Sequence, residues 1–187
     1  IGNRHRPLDI PFQNGPLFLK DVDIPASGII GGPAMAGEGA RMLMECLGIG
    51  RSISLPANSA SAGRRTAFAA GAYAAIRKQF GFSLADMKGQ HSDLARIAGL
   101  TYMIEAGRTA MALRIDSGET PAIGSAILKV QATEAMAQIV ESGMRLQGGK
   151  AIQQGPRNFM GMTPQGEYVA RTVEGDNNMT RSVVIFG

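Results

Sequence analysis

The clearest pattern in the chain is a helical one. Between residues 121 and 146, Ile127/Leu128, Ala132, Ala135/Met136, Ile139/Val140, Gly143 and Leu146 recur every three or four positions. That stripe predicts an amphipathic helix. Ile97, Leu100, Ile104, Met111 and Ile115 form another and predict a helix over 86–116, ended by Asp116-Ser117-Gly118. Upstream, a short helix is expected over 38–47 and a long one over 50–79. Pro56 lies inside the latter, where a kink or a fresh start is expected. Phe80-Gly81-Phe82 stops it, with Gly81 as a C-terminal cap and Ser83 as the next N-cap. Beyond Gly148-Gly149 comes a loop, then short helices near 164–171 and 177–186. Gly63, Gly71, Gly99, Gly107 and Gly143 fall inside helices at about 1 kcal/mol each relative to Ala. Close helix–helix approach is the expected compensation.

Residues 1–35 break the pattern. They are rich in Pro and Gly, and the run Pro16–Pro25 alternates only in part. One or two strands are expected, then a loop ending near Gly31-Gly32-Pro33. Two strands alone make no stable sheet, so this stretch reads as the tail of a β domain whose remainder lies elsewhere. The predicted fold is mainly α: an antiparallel four-helix bundle preceded by a short β segment from a truncated β domain. The division is 1–35 and 36–187. With Ile1 in place of an initiator Met, the chain is expected to start inside something longer.

Composition narrows the chemistry. Aromatic residues are 5% and Trp is absent, against 44% apolar residues and 11 Met, which suits a helical core of small and flexible side chains. The net charge of +4 comes largely from scattered Arg, so nucleic acid is not an expected partner. Cys46, alone among Met42, Leu43, Met44 and Leu47, is expected to be a small buried hydrophobe. His5 and His91 are far apart and read as surface residues, so no metal site is expected. No run is long and apolar enough for a membrane span.

Four landmarks carry chemistry. Val22-Asp23-Ile24-Pro25 leads to Gly37-Glu38-Gly39, with Arg51 twelve residues past the second Gly. Tyr73-x3-Arg77-x2-Phe80-Gly81 follows. Leu146-Gln147-Gly148-Gly149 closes the long stripe. Arg171-Thr172-Val173-Glu174-Gly175-Asp176-Asn177-Asn178-Met179-Thr180-Arg181 comes last. In this order and spacing they resemble the C-terminal part of the acyl-CoA dehydrogenase family. Val-Glu-Gly followed by Thr-Arg-Ser is most similar to its bacterial fatty-acid-degradation branch. The sequence departs from the family at Arg145, where many members have Gln, at Ala151-Ile152 after the glycine pair, and at Val173 and Asp176, where Tyr and Thr are usual.

The resemblance implies a bundle of the family's C-terminal type and an FAD-dependent dehydrogenase that converts a fatty acyl-CoA to trans-2-enoyl-CoA in β-oxidation. It implies Glu174 as the catalytic base, taking the α-proton. It places Arg77, Phe80, Gly148, Gly149, Asp176 and Asn178 against FAD, and Arg51 and Gly175 against the substrate. Val173 and Met179 would be apolar neighbours of the base. The implied electron acceptor is an electron-transferring flavoprotein, the implied assembly a homo-oligomer, and the implied location the bacterial cytoplasm, compatible with peripheral membrane association. An acyl-CoA oxidase and a catalytically inactive oligomerisation bundle are the alternatives. The isolated residues, without the missing domains, are expected to be inactive.

Overall fold

The computed structural model describes residues 15–186 except 154 and 162; the predicted structure of residues 1–14, and the position of His5, lie outside them. The mainly helical bundle is what forms. Helix α1 spans Gly39–Ile76, α2 Lys88–Asp116 and α3 Ala122–Gln147. Short connections bring each back alongside its predecessor, and all three pack on one another. Two short helices, α4 (Thr163–Thr172) and α5 (Asn177–Phe186), lie mainly on α3.

The expected helices over 38–47 and 50–79 are one rod of 38 residues. A proline inside a helix removes one hydrogen bond and costs about 3 kcal/mol. Here the Pro56 ring is fully buried, and that burial offsets the loss. The rod stops at Ile76, earlier than expected. Arg77 turns to extended backbone, and Lys78–Gln79 (β1) pairs antiparallel with Phe82–Ser83 (β2). Phe80 and Gly81 both have positive φ, 51° and 85°, as a two-residue hairpin turn requires. Gly81 therefore makes a hairpin, where a helix cap was expected. Ser83 does cap: its Oγ accepts from Asp86 N–H at 3.2 Å, at the head of a 3-10 turn before α2.

Residues 15–25 form no strand. An extended segment becomes a strand only when a neighbour completes its hydrogen bonds, and none among the described residues does.

The core is built from small residues. Ala60, Ala70, Ile97, Ile104, Ala132, Ala135 and Ile139 form one buried cluster across α1, α2 and α3. A methyl group at Gly63 would lie 2.9 Å from Thr101 Oγ1, at Gly107 2.9 Å from Leu128 Cδ1, and at Gly143 2.7 Å from Thr66 Cγ2. These three glycines therefore mark helix contacts. Gly71 and Gly99 face open space and do not. Cys46 is exposed, against expectation, as are Leu43 and Met44 beside it. Among the described residues no helix is laid over the first turns of α1; α1 approaches α3 at Gly48, beside Ala122.

Candidate active site

Residues 173–176 link α4 to α5. Glu174 takes a left-handed backbone, φ 56°, followed by Gly175 at φ 92°. For a non-glycine residue that conformation costs of order 1–3 kcal/mol and persists only where the surroundings fix it. The turn throws the Glu174 carboxylate towards α1. There Ser54 Oγ, whose single proton also has Gly50 O as an acceptor at 3.0 Å, lies 3.2 and 3.4 Å from its oxygens. One turn earlier on the same face sits Arg51, 6% exposed. Its Nε is buried with no hydrogen-bond partner among the described residues. A methyl group at Gly175 would lie 3.7 Å from Arg51 Nη1 and 3.1 Å from Thr180 Oγ1, so the loop is tight against Thr180 and within ordinary contact of the guanidinium. Val173 packs on the core below, whereas Met179 is 59% exposed and gives the carboxylate little apolar cover.

A residue the motifs did not single out lies beneath this loop. Lys129 of α3 is fully buried. Its ammonium donates to Arg171 O at 3.0 Å, to Gly175 O at 2.7 Å and to Asn177 Oδ1 at 2.6 Å. Burial lowers its pKa from 10.5 to about 8, with Arg51 pushing the same way and Asp176, Glu174 and Glu134 opposing. Asn177 extends the network, donating to Thr133 Oγ1 at 3.0 Å and Glu134 Oε1 at 2.8 Å. Of the two neighbouring asparagines, Asn177 is buried and Asn178 is exposed. Asp176 Oδ1 accepts from the Asn178 backbone N–H, and Asn178 Oδ1 accepts from Arg181. In this chain both side chains therefore serve the start of α5.

The remaining expected residues gather elsewhere. The end of α1 and the end of α3 flank a cleft of about 360 Å³ lined by Tyr73, Arg77, Arg145, Gly148, Gly149 and Lys150, among others. Arg145 pairs with Asp93 at 2.8 Å, and Lys150 Nζ stands 5.2 Å from the centre of the Tyr73 ring. Arg64, Arg114 and Arg171 are likewise paired with carboxylates. The Arg77 guanidinium makes no ion pair or side-chain hydrogen bond among the described residues. Gly148 has φ 65° and ψ −139°, a conformation essentially reserved for glycine, and neither Gly148 nor Gly149 would meet an atom within 4 Å of an added Cβ. This open, cationic, glycine-floored cleft suits a pyrophosphate. Phe80, at the hairpin tip, is 92% exposed among the described residues.

Arg51 of α1 and Arg77, just past its end, are 26 residues apart, and Lys129 of α3 and Gly148, just past its end, are 19 residues apart. At 1.5 Å per residue the two groups are separated by about 30 Å or more. The structure thus brings Arg51, Glu174, Gly175, Asp176 and Asn178 together at one end, and Arg77, Phe80, Gly148 and Gly149 at the other. Among the described residues, no three His, Cys, Asp or Glu side chains form a metal-binding cluster, and no helix is long and apolar enough to cross a membrane.

Residues 37–185 match the family profile "Acyl-CoA dehydrogenase, C-terminal domain". Butyryl-CoA dehydrogenase from Megasphaera elsdenii superposes with a TM-score of 0.70 at 21% identity, over 80% of this chain and 38% of that one. The prolyl acyl carrier protein oxidase AnaB gives 0.74 at 15% identity, over 80% and 39%. A stretch of 72 residues is 57% identical to Protein HemX of Proteus mirabilis, covering 38% of this chain and 42% of that protein. The chain therefore spans about two fifths of the length of each.

Proposed function

This chain belongs to the acyl-CoA dehydrogenase family, and from that premise we propose that it is the C-terminal part of an FAD-dependent enzyme that desaturates a fatty acyl-CoA between Cα and Cβ. On this reading residues 1–35 are the tail of a middle β domain and residues 36–187 the helical bundle. The observation that carries the reading is the Glu174 carboxylate, projected by a strained turn to the side of a buried arginine and held by Ser54.

Glu174 takes the proton from the thioester α-carbon. Ser54 orients the carboxylate through one hydrogen bond. Arg51, buried and short of a partner at Nε, supplies positive charge where negative charge develops, which is where fixed charge accelerates a reaction most. FAD, when bound, supplies the hydride acceptor. Arg77, with Lys150 and the Gly148-Gly149 ridge, would hold its phosphates; an Arg fork matches two phosphate oxygens. The end-to-end separation has a consequence. One FAD cannot reach both groups of a single chain, so the cleft of one copy serves the base of another and the enzyme works as a homo-oligomer. Electron-transferring flavoprotein is the acceptor on this reading.

The test is anaerobic bleaching of the flavin by acyl-CoA in the full-length protein. Glu174→Gln keeps the shape and removes the proton acceptor, and bleaching should slow by roughly 10²–10⁴. Bleaching at the unmutated rate removes Glu174 from the mechanism. A second reading, an acyl-CoA oxidase, is kept because AnaB, named as an oxidase, shares this fold; oxygen consumption by the reduced enzyme separates the two.

A further inference from the structure

We propose that Lys129 is a positioning residue for Glu174, tying both ends of the loop that carries the base to helix α3. The proposal rests on Glu174 being the base. Its support is geometric. Arg171 O belongs to the last turn of α4, Gly175 O to the loop, and Asn177 Oδ1 to the first residue of α5, and Lys129 Nζ donates to all three. Glu174 lies between the first and second of these anchors. A left-handed glutamate relaxes towards ordinary backbone unless something fixes the peptides around it. Ser54 holds only the carboxylate. Lys129 holds the backbone.

The donor count makes the brace sensitive to charge. An ammonium has three N–H donors, and here three acceptors take them. The neutral amine has two, so one anchor is released on deprotonation. The groups facing Lys129 are Asp176, Glu174 and Glu134, which favour its charge, and Arg51, which with burial opposes it. The balance leaves its pKa near 8, within reach of an ordinary activity profile.

Activity and stability should then move in opposite directions. The folded pKa of about 8 lies below the reference value of 10.5. Between the two, the unfolded chain binds more protons at this site, so stability from this group rises with pH. A purely structural lysine would make the alkaline protein more stable and no less active. A positioning lysine makes it more stable and less active.

The experiment follows anaerobic bleaching of the full-length flavoprotein by saturating acyl-CoA from about pH 6 to about pH 10, with thermal melting in the same buffers. In the unmutated protein the bleaching rate should fall above about pH 8 while the part of stability due to Lys129 increases. Lys129→Met should bleach about a hundredfold more slowly, the scale of an ångström-level misplacement. Its flavin content and half-saturating acyl-CoA concentration should be little changed, and its alkaline fall absent. Lys129→Arg, which keeps donors and charge throughout, should recover part of the rate, also without the alkaline fall. A folded, flavin-loaded K129M protein that bleaches at the unmutated rate overturns the proposal. So does an unmutated protein with no alkaline fall, a measurement that needs no variant to fold. Failure of the base assignment is seen separately: there E174Q bleaches normally, whatever K129M does.

Discussion

The two ends of the bundle are finished to different degrees. Around Glu174, Arg51 Nε and Arg171 Nε apart, the chain supplies partners for the polar groups of the loop: Ser54 on the carboxylate, Lys129 on the loop carbonyls, Asn177 between Lys129, Thr133 and Glu134. Around Gly148, Arg145 pairs with Asp93 and Lys150 stands over the Tyr73 ring, but Arg77 is unpaired among the described residues and Phe80 is exposed on a hairpin tip. The first end is built to hold one side chain in a costly geometry. On the proposed function the second is completed by the cofactor: the base is placed before its substrate arrives, whereas the phosphate cradle is finished only when its ligand binds.

The largest expected effect tests whether these ends cooperate across copies. Assayed at FAD too dilute to load R77A, co-expressed E174Q and R77A full-length chains should show more activity than either homo-oligomer, because a mixed assembly contains sites with both native groups. Activity of the mixture no greater than the sum of the two parents means that both groups act within one chain. Next comes R77A alone. Losing a charge-assisted bond costs about 1.5–3 kcal/mol, so FAD retention at low FAD concentration should fall roughly tenfold to a hundredfold with the fold intact. Full flavin content after extensive dialysis would make Arg77 a plain surface charge. Gly148→Ala should lower the melting temperature by a few degrees, since a Cβ there costs about 1–3 kcal/mol in backbone strain though nothing crowds it. An unchanged melting temperature would show that the ridge relaxes. The smallest effect belongs to Ser54→Ala. Its single proton is shared with Gly50 O and lies 3.2 Å or more from the carboxylate, so bleaching should slow only about severalfold, far less than in E174Q.

The helical architecture was legible because long stripes repeat over many turns: Ile97, Ile104 and Met111 are all buried as their spacing implies. The junctions were not. The Phe80-Gly81 turn looks like a helix cap in sequence because both devices use a positive-φ glycine; only the pairing of Lys78 with Ser83 distinguishes them. Cys46 sits in an apolar run that predicts burial, yet burial depends on a covering neighbour that local sequence does not encode. Glu174 and Arg51 were found through motif order, and the structure sets them on facing elements. Lys129 is not part of the apolar stripe that marks α3, although it lies on a buried face of that helix. Its signal was present: Ser125, Lys129 and Thr133 recur every four residues, and all three are fully buried in α3. Asn177 carries no such periodicity, and its adjacency to Asn178 hides which of the two turns inward.

Helix α1 acts as a ruler. Arg51 and Ser54 are marks near one end and Tyr73 and Arg77 marks at the other, with the contacts of Gly63 on Thr101 and Gly143 on Thr66 fixing its rotation in between. Each residue of an α-helix advances about 1.5 Å and turns about 100°. The distance and the angle between the two ends are therefore not independently adjustable. Lengthening the rod by one residue would swing one set of marks about a quarter of a turn around the axis, and only additions near whole turns, such as seven residues, would bring both sets back into line about 10 Å further apart. A protein built on such a rod can exchange side chains at either end freely, but it can change its span only in steps.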